Sequence, residues 1–422
     1  MSHHRNHRWI LCALPLSLAM LSGVAHATPL NTPLSFTTAL ELAEHQSPNL
    51  AANTAQINAA QSSAIPAGAL PDPKLFIGID NFPVTGEDRG HLNRDFMTMQ
   101  KIGIMQEIPN ADKRKAREAV ASAGIDVASA QRQITRLQVR RDTAIAWLNV
   151  YYIERKFALF DALDQENKIL NDAVKAQIAG GRSPVVDAIM PRQEAAQLAD
   201  RRDELASDLA KARATLRRFV GMAANEPLAG EPPVRLLDAE HLRQQLHQHP
   251  ELQVFVAQTR KAEAEVHEAD AMKQSDWGVE LAYQKRAPQY SDMISVQFTF
   301  DLPIATARRQ DPLIAAKQQE LSRIDADREA MLRDHANQLE NDLADYVTLR
   351  RQLERAEQTA LPLAQQKVDL QMASYKAGKS DLTSLLATRR ELIDQRLKII
   401  EWQARHAVIA AQLQFAYGER SP

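Results

Sequence analysis

The longest regular pattern of apolar positions begins just after Asp112 and predicts two helices joined by a tight turn, ending near Met222. Apolar residues recur in alternating steps of four and three, with one polar exception, Arg141. The positions in these steps are Ala116, Val120, Ala123, Val127, Ala130, Ile134, Leu137, Arg141, Ala144, Leu148 and Tyr151. A period near 3.5 residues is typical of helices that pack along a seam. At ~1.5 Å per residue, an outgoing helix of roughly 65 residues would extend ~100 Å, which no compact domain requires.

Four stretches alternate between apolar and polar residues and predict two β-hairpins, over residues 74–108 and 276–302. Asp80 and Glu280 fall on the polar faces of their strands. In the last strand the apolar positions are Ile294, Val296, Phe298 and Phe300, and the polar positions are Ser295, Gln297 and Thr299. Strands of about ten residues with this alternation fit a transmembrane β-barrel, and they fit a soluble sheet with one wet face equally well.

The second half of the chain repeats the first. Gly181 and Ser183 at the first turn recur 197 residues later as Gly378 and Ser380. The segment Gln46-Ser47-Pro48-Asn49-Leu50 recurs 202 residues later as Gln248-His249-Pro250-Glu251-Leu252. Because this spacing is much longer than the repeats of ordinary solenoids, it indicates a duplicated domain.

The duplication predicts the domain boundaries. We expect a first repeat at 28–224, a Pro-rich linker at 225–237 and a second repeat at 238–422. Each repeat contains short helices, a β-hairpin and a long helical hairpin, and the long hairpins cover 111–222 and 311–417. Pro362 lies inside the second long hairpin, where it should kink or loosen the helix.

Residues 1–27 have the three parts of a secretory signal peptide. Arg5 and Arg8 supply the positive end, an apolar run follows, and Ala25-His26-Ala27 is a small-x-small cleavage site. The apolar run is short and contains Pro15, which favours a cleaved signal over a retained anchor. The only cysteine, Cys12, lies inside this run. The formal net charge of −2 gives no indication of nucleic-acid binding, so we expect a protein of the bacterial-type envelope.

The strands and the long helices together indicate a channel. The polar face of the last strand carries Ser, Gln and Thr, which suit a water-filled lumen, and each β-hairpin leads into a very long helix. Four strands cannot close a barrel, since about eight is the smallest usual number. An open sheet edge in lipid would leave backbone groups without partners. The chain is therefore expected to combine its strands with those of other copies.

The sequence resembles the TolC-like outer-membrane efflux protein family, and most of all its heavy-metal (cobalt–zinc–cadmium type) resistance branch. The resemblance covers nearly the whole mature chain and rests on the duplicated unit and on three motifs. These are Gln106-Glu107-Ile108-Pro109, Ala377-Gly378-Lys379-Ser380 and Arg389-Arg390-Glu391-Leu392. It implies a mainly α fold with transmembrane β: a homotrimeric 12-stranded barrel in outer-membrane lipid, continued by a long periplasmic α-helical barrel. It also implies a periplasmic adaptor (membrane fusion protein) and an inner-membrane proton-driven pump as partners.

The resemblance assigns roles to the hairpin tips. The tips that would dock the adaptor are Gly180, Gly181, Arg182, Ser183, Ala377, Gly378, Lys379 and Ser380. Asp187 and Tyr375 match the polar links that close the channel of the family, by their spacing from the tip glycines. The second acidic ring of the family is not retained, because Ser384 and Ala387 occupy its positions. The alternative role of Asp187 is to cap the returning helix.

The strands and the channel end carry further expectations. Asp80, Glu280, Ser295, Gln297 and Thr299 are expected to line the pore, where the two carboxylates would favour cations, or to lie near a rim with little effect. Ile294, Val296, Phe298 and Phe300 are expected to face lipid.

No residue pattern predicts a metal, a cofactor or catalysis. His241, His247 and His249 are clustered, but no Cys or dense Asp/Glu set completes a tetrahedral site, so we interpret them as solvated helix residues. The chain has no phosphate loop and no nucleophile elbow, so we do not expect an enzyme. The alternatives to an exit duct for heavy-metal cations are a duct for drugs or secreted polypeptide, and a periplasmic adaptor or scaffold with a coiled coil.

Overall fold

The structure is a computed structural model that describes residues 33–233 and 237–418 of the 422-residue chain. The predicted signal peptide, 1–27, lies outside the described residues, as do positions 234–236 of the predicted linker.

The first half of the described chain contains short helices, one β-hairpin and one long helical hairpin. Its strands and helices are β1 (Leu34–Ser35), α1 (Phe36–Gln46), α2 (Pro48–Ala64), β2 (Lys74–Asp80), β3 (Met99–Ile108), α3 (Ala111–Ala179) and α4 (Met190–Val220). A 3-10 turn, Val185–Ile189, precedes α4. The outgoing helix α3 has 69 residues and, at ~1.5 Å each, extends ~100 Å.

The second half has the same order of elements. They are β4 (Leu228–Ala229), α5 (Ala239–Gln245), α6 (Pro250–Ala271), β5 (Trp277–Lys285), β6 (Met293–Phe300), α7 (Gln310–Arg355), α8 (Leu361–Lys376) and α9 (Leu382–Leu413). A π-helical segment, Gln414–Gly418, follows α9 and is called the C-terminal turn below.

The outgoing helix of the second long hairpin is not continuous. A π-helical segment, Ala356–Ala360, separates α7 from α8, and Pro362 stands in the first turn of α8. Proline has no backbone N–H and its ring clashes with the preceding turn, so a straight α-helix cannot continue through it. The loosening predicted at Pro362 is confirmed as a widened turn just before the proline.

A single antiparallel sheet has the strand order β2-β3-β5-β6, so the two β-hairpins lie side by side. Across the central pair, Ile102 lies opposite Tyr283 and Ile104 opposite Leu281. Across the last pair, Leu281 lies opposite Val296 and Glu280 opposite Gln297. Because directly opposed residues share a face, this register collects the apolar positions of all four strands on one side.

The alternation within the first hairpin predicts a second strand from Phe96, but β3 begins three residues later, at Met99. Before Met99, side chains supply the hydrogen-bond partners of the backbone. Asp95 Oδ1 accepts from the Met97 N–H at 2.7 Å, and the carbonyl oxygen of Phe96 accepts from the Arg286 guanidinium. These bonds replace the ladder bonds that would have extended the strand.

A polar junction fixes the point where the sheet meets the long helix α3. Asn110 caps α3, its side chain accepting from the Lys113 N–H at 2.7 Å, while its own N–H donates to Asp276 Oδ1 at 2.8 Å. Lys113 Nζ lies 2.6 Å from Asp276 Oδ2. Asp276 immediately precedes β5, so this group binds the start of α3 to the second β-hairpin.

The main hydrophobic core joins α3 to α1, α4 and α9, with Trp147 at its centre. Trp147 is fully buried, stacks on Tyr151 and meets the edge of Phe36. Its Nε1 donates to the carbonyl oxygen of Leu34 at 3.1 Å, which holds β1 against α3.

Trp147→Ala is expected to lower the free energy of unfolding by about 3–5 kcal/mol, because it leaves a cavity in this core. Trp147→Phe keeps most of the ring and should cost less, losing mainly the hydrogen bond to Leu34. Chemical unfolding followed by circular dichroism measures both. Equal midpoints for the wild type and Trp147→Ala would show that this core does not support the helices.

Candidate functional site

One face of the sheet is a broad apolar surface that is exposed on the outside of the chain. Twelve large apolar side chains on this face are exposed: Leu75, Ile77, Ile79, Ile102, Ile104, Trp277, Leu281, Tyr283, Ile294, Val296, Phe298 and Phe300. Val296, near the middle, is 57 % exposed. A contiguous apolar surface of this kind marks contact with a membrane or with another protein. The four residues predicted to face lipid all belong to it.

The opposite face of the sheet is mixed and charged. Glu280 Oε1 lies 2.7 Å from Lys101 Nζ, and Lys101 Nζ also lies 4.8 Å from the centre of the Phe76 ring. Ser295, Gln297 and Thr299 stand on the same face as Glu280, as their register requires. The pairing with Lys101, which sequence analysis missed, cancels the charge through which Glu280 was expected to favour cations. Asp80 lies opposite Met99 on this face.

The sheet has two edges. Among the residues that the structure describes, β2 and β6 each pair along one side only, so the other side of each presents unpaired backbone groups. Such edges are templates for pairing with a further strand. The apolar face extends to both edges, through Ile77 and Phe298, so each edge carries exposed apolar side chains beside its unpaired backbone groups.

The two hairpin tips have the same backbone conformation. Gly181 has φ +68° and Gly378 has φ +69°. The Arg182 N–H donates to Gln177 O, and the Lys379 N–H donates to Ser374 O, both at 2.9 Å. This is the bond pattern of a helix end closed by a left-handed residue, for which glycine is strongly favoured.

Tyr375 lies between the two tips and is 4 % exposed. It packs with Leu170, Val174, Leu382 and Leu385, which come from both hairpins. Its hydroxyl lies 3.3 Å from Ser183 Oγ. Within one chain, the Tyr375 hydroxyl thus contacts Ser183 of the neighbouring hairpin, while the role of Tyr375 and Asp187 in closing the channel stays a prediction.

Asp187 lies in the 3-10 turn before α4 and is half-buried. Neither this turn nor α4 has a side-chain cap hydrogen bond, but Asp187 stands in the first turn of the 3-10 segment, where its charge suits the positive end of the returning helix, as its alternative role requires. Within the described chain its carboxylate has no hydrogen-bond partner, which leaves it available to a group from outside.

The first tip also exposes three large apolar residues that sequence analysis did not single out. Val185, Val186 and Ile189 are 75 %, 60 % and 53 % exposed. Their counterparts in the second tip are Leu382, which is buried, Thr383, which is exposed but polar, and the less exposed Leu386. In the sequence, the two valines after Pro184 could have predicted this exposed apolar surface, because a helix start that contacts only water is not expected to carry two adjacent apolar residues.

A buried ion pair joins the hairpins two turns beyond the tips. Arg389 of α9 is 6 % exposed, and its Nε lies 3.9 Å from Glu194 Oε1 of α4. Burial raises the pKa of the Glu194 carboxyl, and the positive charge of Arg389 opposes that shift. Both residues belong to an Arg-x-Glu motif that is present in each returning helix. The sequence does not show that Arg389 of one motif contacts Glu194 of the other.

The structure corrects the interpretation of His249 as a solvated residue, although His241 and His247 are exposed as expected. His249 precedes Pro250, where α6 begins, and is buried, with its ring packed at a tilt against that of His335 and the ring centres 3.9 Å apart. With Glu251 these histidines bring three ligand atoms within 4.8 Å. The group is a poor cation site, because His249 Nδ1 already accepts a backbone N–H and the N-terminus of α6 is itself positive.

Comparison with known proteins shows the class of fold. No family model and no curated protein matches the chain. Among solved structures, CusC matches with a TM-score of 0.76 and 16% identity over 91% of this chain and 92% of that one. The outer membrane protein VceC of Vibrio cholerae gives 0.73 and 17%, over 91% and 96%. The Neisseria gonorrhoeae MtrE outer membrane channel gives 0.73 and 15%, over 91% and 88%.

The chain therefore has the fold of outer-membrane channel proteins over nearly its whole length. At identities below 25% this likeness establishes the fold, and the mainly α class expected from the sequence is confirmed. None of the described helices combines the length and the apolar character needed to cross a membrane.

Proposed function

We propose that the protein is an outer-membrane channel that serves as the exit duct of a tripartite efflux system. The observation that carries this proposal is the sheet, with an exposed apolar face, a charged opposite face and two unpaired edges, joined to helices ~100 Å long. The fold shared with CusC, VceC and MtrE supports the same function.

Three copies would combine their sheets into one closed barrel. With four strands per chain, a trimer gives a barrel of about twelve strands, which exceeds the usual minimum of about eight. Closure would satisfy the edges of β2 and β6, which lipid cannot do. The apolar face would then contact outer-membrane lipid, and the face with Ser295, Gln297 and Thr299 would line the lumen.

The hairpin tips would dock a periplasmic adaptor, through which an inner-membrane pump delivers substrate. The two tips are exposed glycine turns with space around them, since a Cβ on Gly181 or Gly378 would meet nothing within 4 Å. Val185 and Val186 add an exposed apolar surface, whose contact with water is unfavourable. Both features suit the close approach of a partner backbone.

The substrates would be heavy-metal cations, as the resemblance in sequence implies, with drugs or secreted polypeptide as alternatives. Deleting the gene and measuring growth on a panel of metals and drugs decides between them. Sensitivity to divalent metals supports this substrate, and sensitivity to organic drugs alone would reject it while leaving the exit duct intact.

Extraction of membranes without detergent tests the location. An outer-membrane channel should stay with the outer-membrane fraction through washes with high salt and carbonate. A periplasmic adaptor or scaffold without an anchor would be released, and release would overturn the proposed channel.

We expect Asp187→Ala combined with Tyr375→Phe to raise single-channel current in planar bilayers well above that of the wild type. The resting channel would be closed by polar links near the tips, each worth about 1–3 kcal/mol where one partner is charged. Because Tyr375 bonds to Ser183, Ser183→Ala should reproduce the effect of Tyr375→Phe. Thr383→Ala, at an exposed position of the second tip, is the matched control. Current like that of the wild type in the double variant would dismiss the gate.

A further inference from the structure

The N-terminus of α6 is capped by a histidine. His249 Nδ1 accepts a hydrogen bond from the Glu251 N–H at 3.2 Å, and the ring is 8 % exposed. A nitrogen that accepts this bond must carry no proton, so the cap exists only while His249 is neutral. Protonation would turn the acceptor into a donor that faces another donor.

The ring of His335 packs at a tilt against that of His249, and both of its nitrogens lie close to polar partners. Tyr417 donates its hydroxyl hydrogen to the carbonyl oxygen of His335 at 3.2 Å, and the same hydroxyl oxygen lies 3.4 Å from His335 Nδ1. His335 Nε2 lies 3.0 Å from Glu251 Oε2. A proton on His249 would bring a positive charge to the ring centred 3.9 Å from that of His335, and the repulsion between the two rings lowers the pKa of His249.

The other charged groups around His249 do not offset that repulsion. Burial is the main cause that lowers the pKa of His249 to about 4, His335 is the second, and Arg141 on α3 acts in the same direction. Glu251 on α6 is the only group that opposes them, and it is already bound to His335. Tyr417 stays neutral, because burial raises its pKa to about 12.

The equivalent position in the first repeat does not titrate. Ser47 caps α2 there, and its hydroxyl accepts from the Leu50 N–H at 3.3 Å. Asn49 takes the place of Glu251. Serine is also among the best capping residues, so the capping of this helix does not require a histidine.

We propose that His249 and His335 form an acid-sensitive joint that releases the N-terminus of α6 from α7 and the C-terminal turn as the pH falls. The neutral His249 stabilises the joint above its ordinary pKa, near 6.5, and the contribution is lost as the pH falls toward 4. The second repeat would thus loosen on acidification while α2 in the first repeat keeps its cap.

Hydrogen exchange with mass spectrometry on the purified full-length protein tests the joint, with protection factors corrected for intrinsic exchange rates. Between pH 7 and pH 5, the protection of the Glu251, Leu252 and Gln253 amides should fall roughly 20-fold, the ratio set by the lowered pKa of one histidine. The Asn49, Leu50 and Ala51 amides of α2 are the internal reference and should change little. An equal loss at both helices would overturn the proposal.

Two variants and one metal complete the test. His249→Ser installs the cap of the first repeat and should abolish the acid-dependent loss. His335→Asn removes the ring that lowers the pKa of His249 by repulsion and should make the loss smaller. If either variant loses as much amide protection on acidification as the wild type does, the two histidines are not the cause of the acid sensitivity. If Zn²⁺ at pH 7 protects these amides in the wild type but not in His335→Asn, the cluster is a metal site and the acid-sensitive joint is rejected.

Discussion

Val296→Arg is expected to abolish assembly of the protein in the outer membrane. Val296 lies near the middle of β6 on the exposed apolar face, opposite Leu281. An arginine facing lipid near the middle of the bilayer costs ~2–4 kcal/mol, and a trimer would carry this change in each of its three copies. Since folded proteins are stable by only about 5–15 kcal/mol, such a loss should leave little assembled protein. The amount of trimer in outer-membrane fractions measures it.

Gln297→Arg, one residue along the same strand, is the matched control. Its side chain points to the opposite face, where it lies across from Glu280. An arginine there stands opposite the Glu280 of the Lys101–Glu280 ion pair and, in the proposed barrel, would remain in contact with water in the lumen. Near-normal assembly of Gln297→Arg beside failed assembly of Val296→Arg supports the assignment of the two faces. Equal tolerance at both positions would reject the barrel.

Gly378→Leu is expected to abolish resistance to the exported compound while the amount of trimer in the outer membrane stays the same. Gly378 has φ +69°, and a side chain there would project into open space at the tip. A left-handed non-glycine residue costs about 1–2 kcal/mol, which is small for a long helical hairpin with a buried core. The bulky side chain would therefore act mainly on the partner that approaches this tip. Growth on the compound identified by gene deletion, with an immunoblot of outer membranes, measures both effects.

Gly378→Asn separates the size of the side chain from the conformation of the backbone. Asparagine tolerates the left-handed region better than leucine and is smaller and polar. It should retain much of the resistance that Gly378→Leu loses. If the leucine variant keeps full resistance, this tip is not the surface that docks the adaptor. If its trimer disappears, the substitution has damaged folding, and the equivalent change at Gly181 should be tested in its place.

The elements that follow from a local period could be predicted from the sequence. The step of four and three residues from Ala116 predicts a helix of the length that α3 has. The alternation around Val296 predicts which residues share a face, and the register across Leu281 places them there. The glycines at 181 and 378 predict left-handed turns because few other residues adopt that conformation readily.

The pairings between distant parts of the chain could not be predicted. The bond of Tyr375 to Ser183 depends on how two hairpins lie beside each other, which neither segment specifies alone. The ion pair between Lys101 and Glu280 joins strands from different repeats. The burial of His249 depends on α7 and the C-terminal turn, which stand far from it in the chain.

The most direct test of a trimeric outer-membrane channel is electron cryo-microscopy of the full-length protein purified from outer membranes. Density with three-fold symmetry should show a barrel of about twelve strands in which β2 of one copy pairs with β6 of the next. The long hairpins should extend from the barrel as a helical tube about 100 Å long. A monomer, or a sheet that stays open at β2 and β6, would contradict the proposed channel.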